Sequence, residues 1–197
     1  KINLLVEAGC TDIIIGIQGC ERVNKEIYQR NQTDEDVLRA GKIINHFRKK
    51  LTAMYDVITC NPYENPEDII NMIRLLQKIP KPYYLSVNNL VFFPGSGIYE
   101  RAINDSNLKK QVEISAKLNF WDRAKHIRLK KDNMYLVLIL NLMRGSVTEK
   151  RFGAMPNFLI NYLLQRERVN YHLKNQTITH LALFLLSISD LIRDRIA

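Results

Sequence analysis

Long apolar runs are missing from this chain. No stretch reaches the roughly 18 uninterrupted apolar residues that a membrane-spanning helix needs, and Asn141, Asn161 and Asp190 lie in or beside the clusters that come nearest. Cysteine is sparse. Cys10, Cys20 and Cys60 are odd in number and far apart, which points to neither a disulfide framework nor a zinc site. A reducing compartment fits that usage, and a cytoplasmic protein is expected. The opening KINLLVEAG has no basic segment leading into an apolar stretch and no cleavage pattern, so no signal peptide is expected. Gly and Pro number only 8 and 6 in 197 residues. With no low-complexity tract and no internal repeat, disorder and solenoid architectures are disfavoured. The histidines, His46, His126, His172 and His180, are scattered and form no ligand or triad pattern.

What is present is a normal complement of core-forming residues, 46% hydrophobic, and an uneven charge. Residues 1–105 hold 13 Lys+Arg and 13 Asp+Glu, whereas residues 106–197 hold 16 and 7 and so carry the whole net charge of +9. Such asymmetry marks either a surface for RNA or an anionic membrane, or an ordinary solvated basic face.

The two halves also differ in pattern. Residues 1–8 read as the end of a helix stopped by Gly9. Residues 12–17 contain IIIGI, apolar on both faces as in a buried parallel strand. A short helix is expected over 21–30. A longer one over 34–49 starts at Thr33, with Asp36 three positions on. Residues 53–59 read as a strand, and Asn65-Pro66 opens a helix to about 78. Residues 84–92 read as a third strand. Strands alternating with helices predict adjacent parallel strands joined by right-handed crossovers, with the helices 34–49 and 65–78 on one side. Three strands are few for a free-standing sheet, so part of a barrel or larger open sheet is expected, its other face lacking cover. Beyond Asn107 strand alternation stops. Apolar clusters at helical spacing in 135–143, 158–164 and 181–192 predict an all-helical extension. The expected division is 1–105 and 106–197.

Chemistry in parallel α/β proteins gathers at the C-terminal ends of strands. Those ends here read GIQGCER, ITCNPYE and NNLVFFPG. In their wider context, EAGCTDIIIGIQGCERVNKEIYQRNQTDEDVLRA (7–40), YDVITCNPYENPEDI (55–69) and NLVFFPGSGIYERAI (89–103) resemble the fourth, fifth and sixth strand regions of radical S-adenosylmethionine barrels. They follow in the family's order at sensible spacing. The closest flavour is the class with an N-terminal cobalamin-binding domain.

The resemblance covers about half the chain and implies a partial parallel (β/α) barrel. It implies an enzyme that cleaves S-adenosylmethionine reductively at a [4Fe-4S] cluster to run radical chemistry, with cobalamin as a further cofactor in the closest class. The family's CxxxCxxC cluster motif and its glycine-rich second-strand stretch are absent. The cluster ligands, the N-terminal barrel half and a cobalamin domain are therefore expected upstream of Lys1, and the isolated chain is expected to be inactive. The substrate and the reaction type are not indicated.

Carried over residue by residue, Gln18 matches a strand-end amide that contacts S-adenosylmethionine. Arg30 matches a clamp on its carboxylate, suited by the planar guanidinium. Asp56 matches a ribose-contacting acid on the next strand. Asn61 and Pro62 shape the loop along the adenine. Each has a plain structural alternative: a capped strand end for Gln18, a surface arginine, an aspartate paired to a helix. Cys20 and Cys60 read as small buried residues. GIQGCERV is one residue shorter than the family's GIQSGSERV, and Cys60 stands where glycine is common.

A different class of function is a non-enzymatic α/β module whose basic helices grip RNA or anionic lipid. Lys109, Lys110, Lys125, Arg128, Lys130 and Lys131 would supply the cations, interleaved with Phe120, Trp121 and Tyr135.

Overall fold

The computed structural model describes residues 1–117, 133–144 and 155–176. Helix α1 (Ile2–Glu7) leads into strand β1 (Asp12–Gln18). Helices α2 (Glu21–Glu26) and α3 (Asp34–His46) follow, then β2 (Thr52–Thr59), α4 (Pro66–Lys78) and β3 (Tyr84–Asn89). Further on lie α5 (Gly97–Ile103), α6 (Lys109–Ala116), α7 (Met134–Leu142), α8 (Asn157–Leu163) and α9 (Arg166–Asn175). The molecule is α/β, with one parallel sheet in the order β1-β2-β3. Among the described residues no helix is long and apolar enough to cross a membrane.

Local chemistry sets the principal helix starts. Thr33 accepts from the Asp36 amide while the Asp36 carboxylate accepts from the Thr33 amide, a reciprocal capping box that opens α3. Asn65 and Asp68 do the same for α4, with Pro66 in the first turn. Both helices begin as the sequence indicates. At their ends α2 and α3 are shorter than expected, stopping at Glu26 and His46.

One face of the sheet is the core. Along β2, Ala53, Tyr55, Val57 and Thr59 are buried, while the residues between them are only half-buried. The buried row packs with Val37 and Ile44 of α3 and with Ile69, Met72, Ile73 and Leu76 of α4. The same cluster takes in Tyr135, Leu136, Ile139 and Leu140 of α7, Ile160 of α8 and Val169 of α9. The described part of the C-terminal region thus shares the sheet's core. A second, smaller cluster joins Leu90 and Phe92 to Ala102 of α5 and Val112 of α6.

Two expectations need correction. The IIIGI run is not buried on both faces: Ile14 is 61% exposed, because β1 pairs only with β2 and its second face is uncovered among the described residues. The third strand stops at Asn89 rather than 92. Leu90 still donates to the Thr59 carbonyl at 2.9 Å. The chain then leaves the ladder, and the second cluster buries Leu90 and Phe92. The apolar clusters at 135–143 and 158–164 are α7 and α8; the one at 181–192 lies outside the described residues.

Candidate functional site

The open face of the sheet has a gradient of polarity. In register across the strands, the first row is Ile14, Met54 and Tyr84. The next is Gly16, Asp56 and Ser86, and beyond it come Ile58 and Asn88. Side chains at paired positions of a parallel sheet point to the same face. The face therefore passes from an apolar first row, where Tyr84 is buried, to a row holding Asp56 and Ser86, and then to Asn88 beside Ile58, which packs against the second cluster.

Strand β1 ends in a sharp turn. Register shifts between Gly16 and Gln18, and Gln18 takes φ +69°. The Gly19 amide donates to the Ile17 carbonyl at 2.9 Å, closing a γ-turn of the rarer positive-φ form. Such a conformation in a residue with a Cβ is strained and persists only where neighbours impose it. Asn24 imposes it here. Buried on α2, it donates through Nδ2 to the Ile17 carbonyl at 2.9 Å and to the Gly19 carbonyl at 3.0 Å. Sequence reasoning passed over Asn24. Its signal was an amide beside Val23 on the apolar face of a short helix.

The turn brings Gln18 and Arg30 together over Gly16. A Cβ built on Gly16 would collide with Gln18 Nε2 and lie 3.6 Å from Arg30 Nη1. Arg30 donates from Nη2 to the Gly16 carbonyl at 3.3 Å, and its own amide donates to the Asn24 carbonyl at 2.8 Å. Gly16 is in register with Asp56, which is half-buried on the open face. Of the five residues singled out from sequence, Gln18 and Arg30 thus meet over Gly16 at the C-terminal end of β1, and Asp56 stands beside that glycine in register on β2, three residues before the strand ends. They offer an amide, a guanidinium and a carboxylate.

Asn61 and Pro62 occupy the neighbouring loop. Strand β2 exits through Cys60 at φ +62°, a backbone region that favours glycine. Asn61 is buried and ties the loop to the segment after α2: Oδ1 accepts from the Tyr63 amide at 3.0 Å, and Nδ2 donates to the Tyr28 hydroxyl at 3.2 Å. Pro62 is half-buried. Tyr63 reaches α5, with the Arg101 guanidinium 4.0 Å above its ring and its hydroxyl 3.5 Å from Asp105. Glu64, 2% exposed, lies in the same loop.

The helix side holds a different pair. Arg22 donates from Nε to Asp68 Oδ1 at 2.7 Å and from Nη2 to Oδ2 at 2.5 Å. That fork ties α2 to the first turn of α4 and thereby fixes the segment carrying Asn24. The hydrogen bonds to Asp68 raise the Arg22 pKa. Burial works to raise the Asp68 pKa, but the bonds from Arg22 and from the Asn65 amide outweigh it, leaving it lowered. Cys20 sits against Asp68, Sγ to Oδ1 3.6 Å, and burial pushes its thiol up to about 11. Burial likewise pushes Cys60 to about 11. All three cysteines are free. Among the described residues no group of three or more His, Cys, Asp or Glu is placed to hold a metal ion.

Of the proposed basic surface, Lys109 and Lys110 are exposed on α6. Phe120, Trp121, Lys125, Arg128, Lys130 and Lys131 lie outside the described residues. Tyr135 is 4% exposed, donates its hydroxyl to the Leu163 carbonyl at 2.8 Å and stacks on His172. It is a core residue and not a platform for a base.

No family model matches this chain, and no curated protein matches it.

Proposed function

We propose that this chain is part of a radical S-adenosylmethionine enzyme and holds one side of the S-adenosylmethionine pocket. The observation that carries the reading is the meeting of Gln18 and Arg30 over Gly16, with Asp56 in register beside that glycine on the open face of a parallel sheet. In this reading the sheet, paired on neither outer edge among the described residues, is one arc of a parallel (β/α) barrel. The open face lines its interior, and strands from another segment complete it.

The donor set fits the ligand. Arg30 would hold its carboxylate, Asp56 would accept from a ribose hydroxyl, and Gln18 would bond either donors or acceptors. Asn61 and Pro62 would shape the adenine side through backbone alone, since the Asn61 amide is already bonded to the Tyr63 amide and the Tyr28 hydroxyl. When bound, S-adenosylmethionine would supply a radical-forming sulfonium to a substrate of unassigned class. The chain's contribution is to fix the ligand and exclude water.

The cysteines present do not fit a [4Fe-4S] cluster. Cluster ligands are thiolates, whereas Cys20 and Cys60 are buried with raised pKa values and belong to different strand ends. Cluster and cobalamin are assigned to other parts of the protein. Anaerobic reconstitution of the 197-residue chain with iron and sulfide should leave both at background; a stoichiometric cluster would contradict that assignment.

Gly16→Ala tests the pocket. The added methyl must displace the Gln18 amide. Calorimetric titration of the intact enzyme with S-adenosylmethionine should show severalfold weaker binding and unchanged cluster iron. No saturable binding by the unmodified, cluster-loaded protein would overturn the function itself.

A further inference from the structure

We infer that helix α8 and the start of α9 form a docking surface for an anionic membrane. The inference stands independently of the S-adenosylmethionine reading. α8 buries Ile160 completely yet leaves Phe158 70%, Tyr162 47% and Leu159 39% exposed. These three side chains, with Asn161 and Gln165, line an open groove of about 530 Å³. An isolated exposed apolar residue is ordinary, but adjoining ones rimmed by polar groups mark an interaction site.

The ledge is firmly built. Gln77 at the end of α4 donates to the Asn157 carbonyl at 3.3 Å and to Asn161 Oδ1 at 2.9 Å, and Asn157 donates back to the Gln77 carbonyl at 3.3 Å. Tyr135 of α7 bonds the Leu163 carbonyl at 2.8 Å.

Charge selects the occupant. Helix α9, which follows α8 directly, holds Arg166, Arg168 and Lys174 against one acid, Glu167. Arg168 lies 3.8 Å above the Tyr162 ring, and Lys81 donates to the Met155 carbonyl beside the start of α8. Cations thus border the apolar ledge. That is the arrangement of an interfacial helix, with apolar side chains entering the acyl boundary and Lys or Arg meeting lipid phosphates. A bilayer fits better than RNA. Leu159 has no π-face for a base, and one face of Tyr162 is already taken by Arg168.

The test is co-sedimentation of the chain with vesicles of phosphatidylcholine alone and of phosphatidylcholine mixed with phosphatidylserine. Binding should favour the mixed vesicles and weaken with added salt. Phe158→Ser and, separately, Arg166→Glu should each lower the partition coefficient about tenfold. Both residues are exposed, so thermal unfolding monitored by circular dichroism should match the unmodified chain. Equal binding to neutral vesicles, no vesicle binding, or retention of binding in both variants would overturn the inference. So would a single-stranded oligoribonucleotide that binds through Phe158 and displaces the vesicles.

Discussion

Asp68→Ala should lower the unfolding free energy by about 3 kcal/mol, the low end of what breaking a buried ion pair costs. Asp68 is 3% exposed and accepts from two guanidinium nitrogens of Arg22 and from the Asn65 amide. Truncation removes the α2–α4 fork and one half of a capping box together. The Arg22 side chain, 38% exposed, keeps part of its hydration, which holds the penalty below its maximum. Against a typical total stability of about 5–15 kcal/mol the loss is large. Urea denaturation measures it. Asp68→Asn keeps one acceptor and should cost less.

The pH dependence follows from the lowered Asp68 pKa. A carboxyl with a depressed folded-state value contributes stability that is fully present above the unfolded value, about 3.9. That contribution is lost as pH falls through the folded value. The gap between the unmodified chain and Asp68→Ala should therefore be constant near neutrality and narrow in acid below about pH 4. A gap independent of pH would mean that the carboxylate charge contributes nothing.

Arg30→Ala in the intact enzyme should weaken S-adenosylmethionine binding about ten- to hundredfold, the loss of a charge-assisted bond of about 1.5–3 kcal/mol. Stability should hardly change, because Arg30 is exposed and its side chain makes one hydrogen bond, at 3.3 Å to the Gly16 carbonyl. Cluster iron should be unaltered. Arg30→Lys keeps the charge without the fork, so partial recovery is expected. Unaltered affinity in Arg30→Ala would remove Arg30 from the pocket and leave it a brace on the β1 turn. A parallel loss of stability would likewise make it a brace.

The sequence alone was informative wherever local chemistry decides. Thr33 with Asp36, and Asn65 with Pro66, marked the starts of α3 and α4 in the chain itself; the structure adds Asp68 as the reciprocal partner of Asn65. The alternation of strands and helices implied parallel strands in chain order, and they are so arranged, because crossovers of that length place successive strands side by side. The strand ends carrying Gln18, Cys60 and Asn61 were legible as polar and turn-forming.

The tertiary structure decided what depends on distant neighbours. Ile14 is exposed because it lies on an edge strand whose second face has no cover at that point among the described residues, whereas Tyr84 in the same row is buried, a difference the run IIIGI cannot express. Strand β3 ends at Asn89 because β2, its partner among the described residues, turns away at Cys60, and Leu90 and Phe92 are buried instead with Ala102 and Val112. Tyr135 left the basic surface for the core because Leu163 and His172 lie beside it in space, 28 and 37 positions along the chain. Gly16 shows the division most clearly. As a letter it is one glycine in a strand. Only in the fold does its missing side chain become the space into which Gln18 folds beside Arg30. Local propensity acts over a few residues, whereas that space is created by a turn, a buried Asn24 and an adjacent strand brought together from three separate segments.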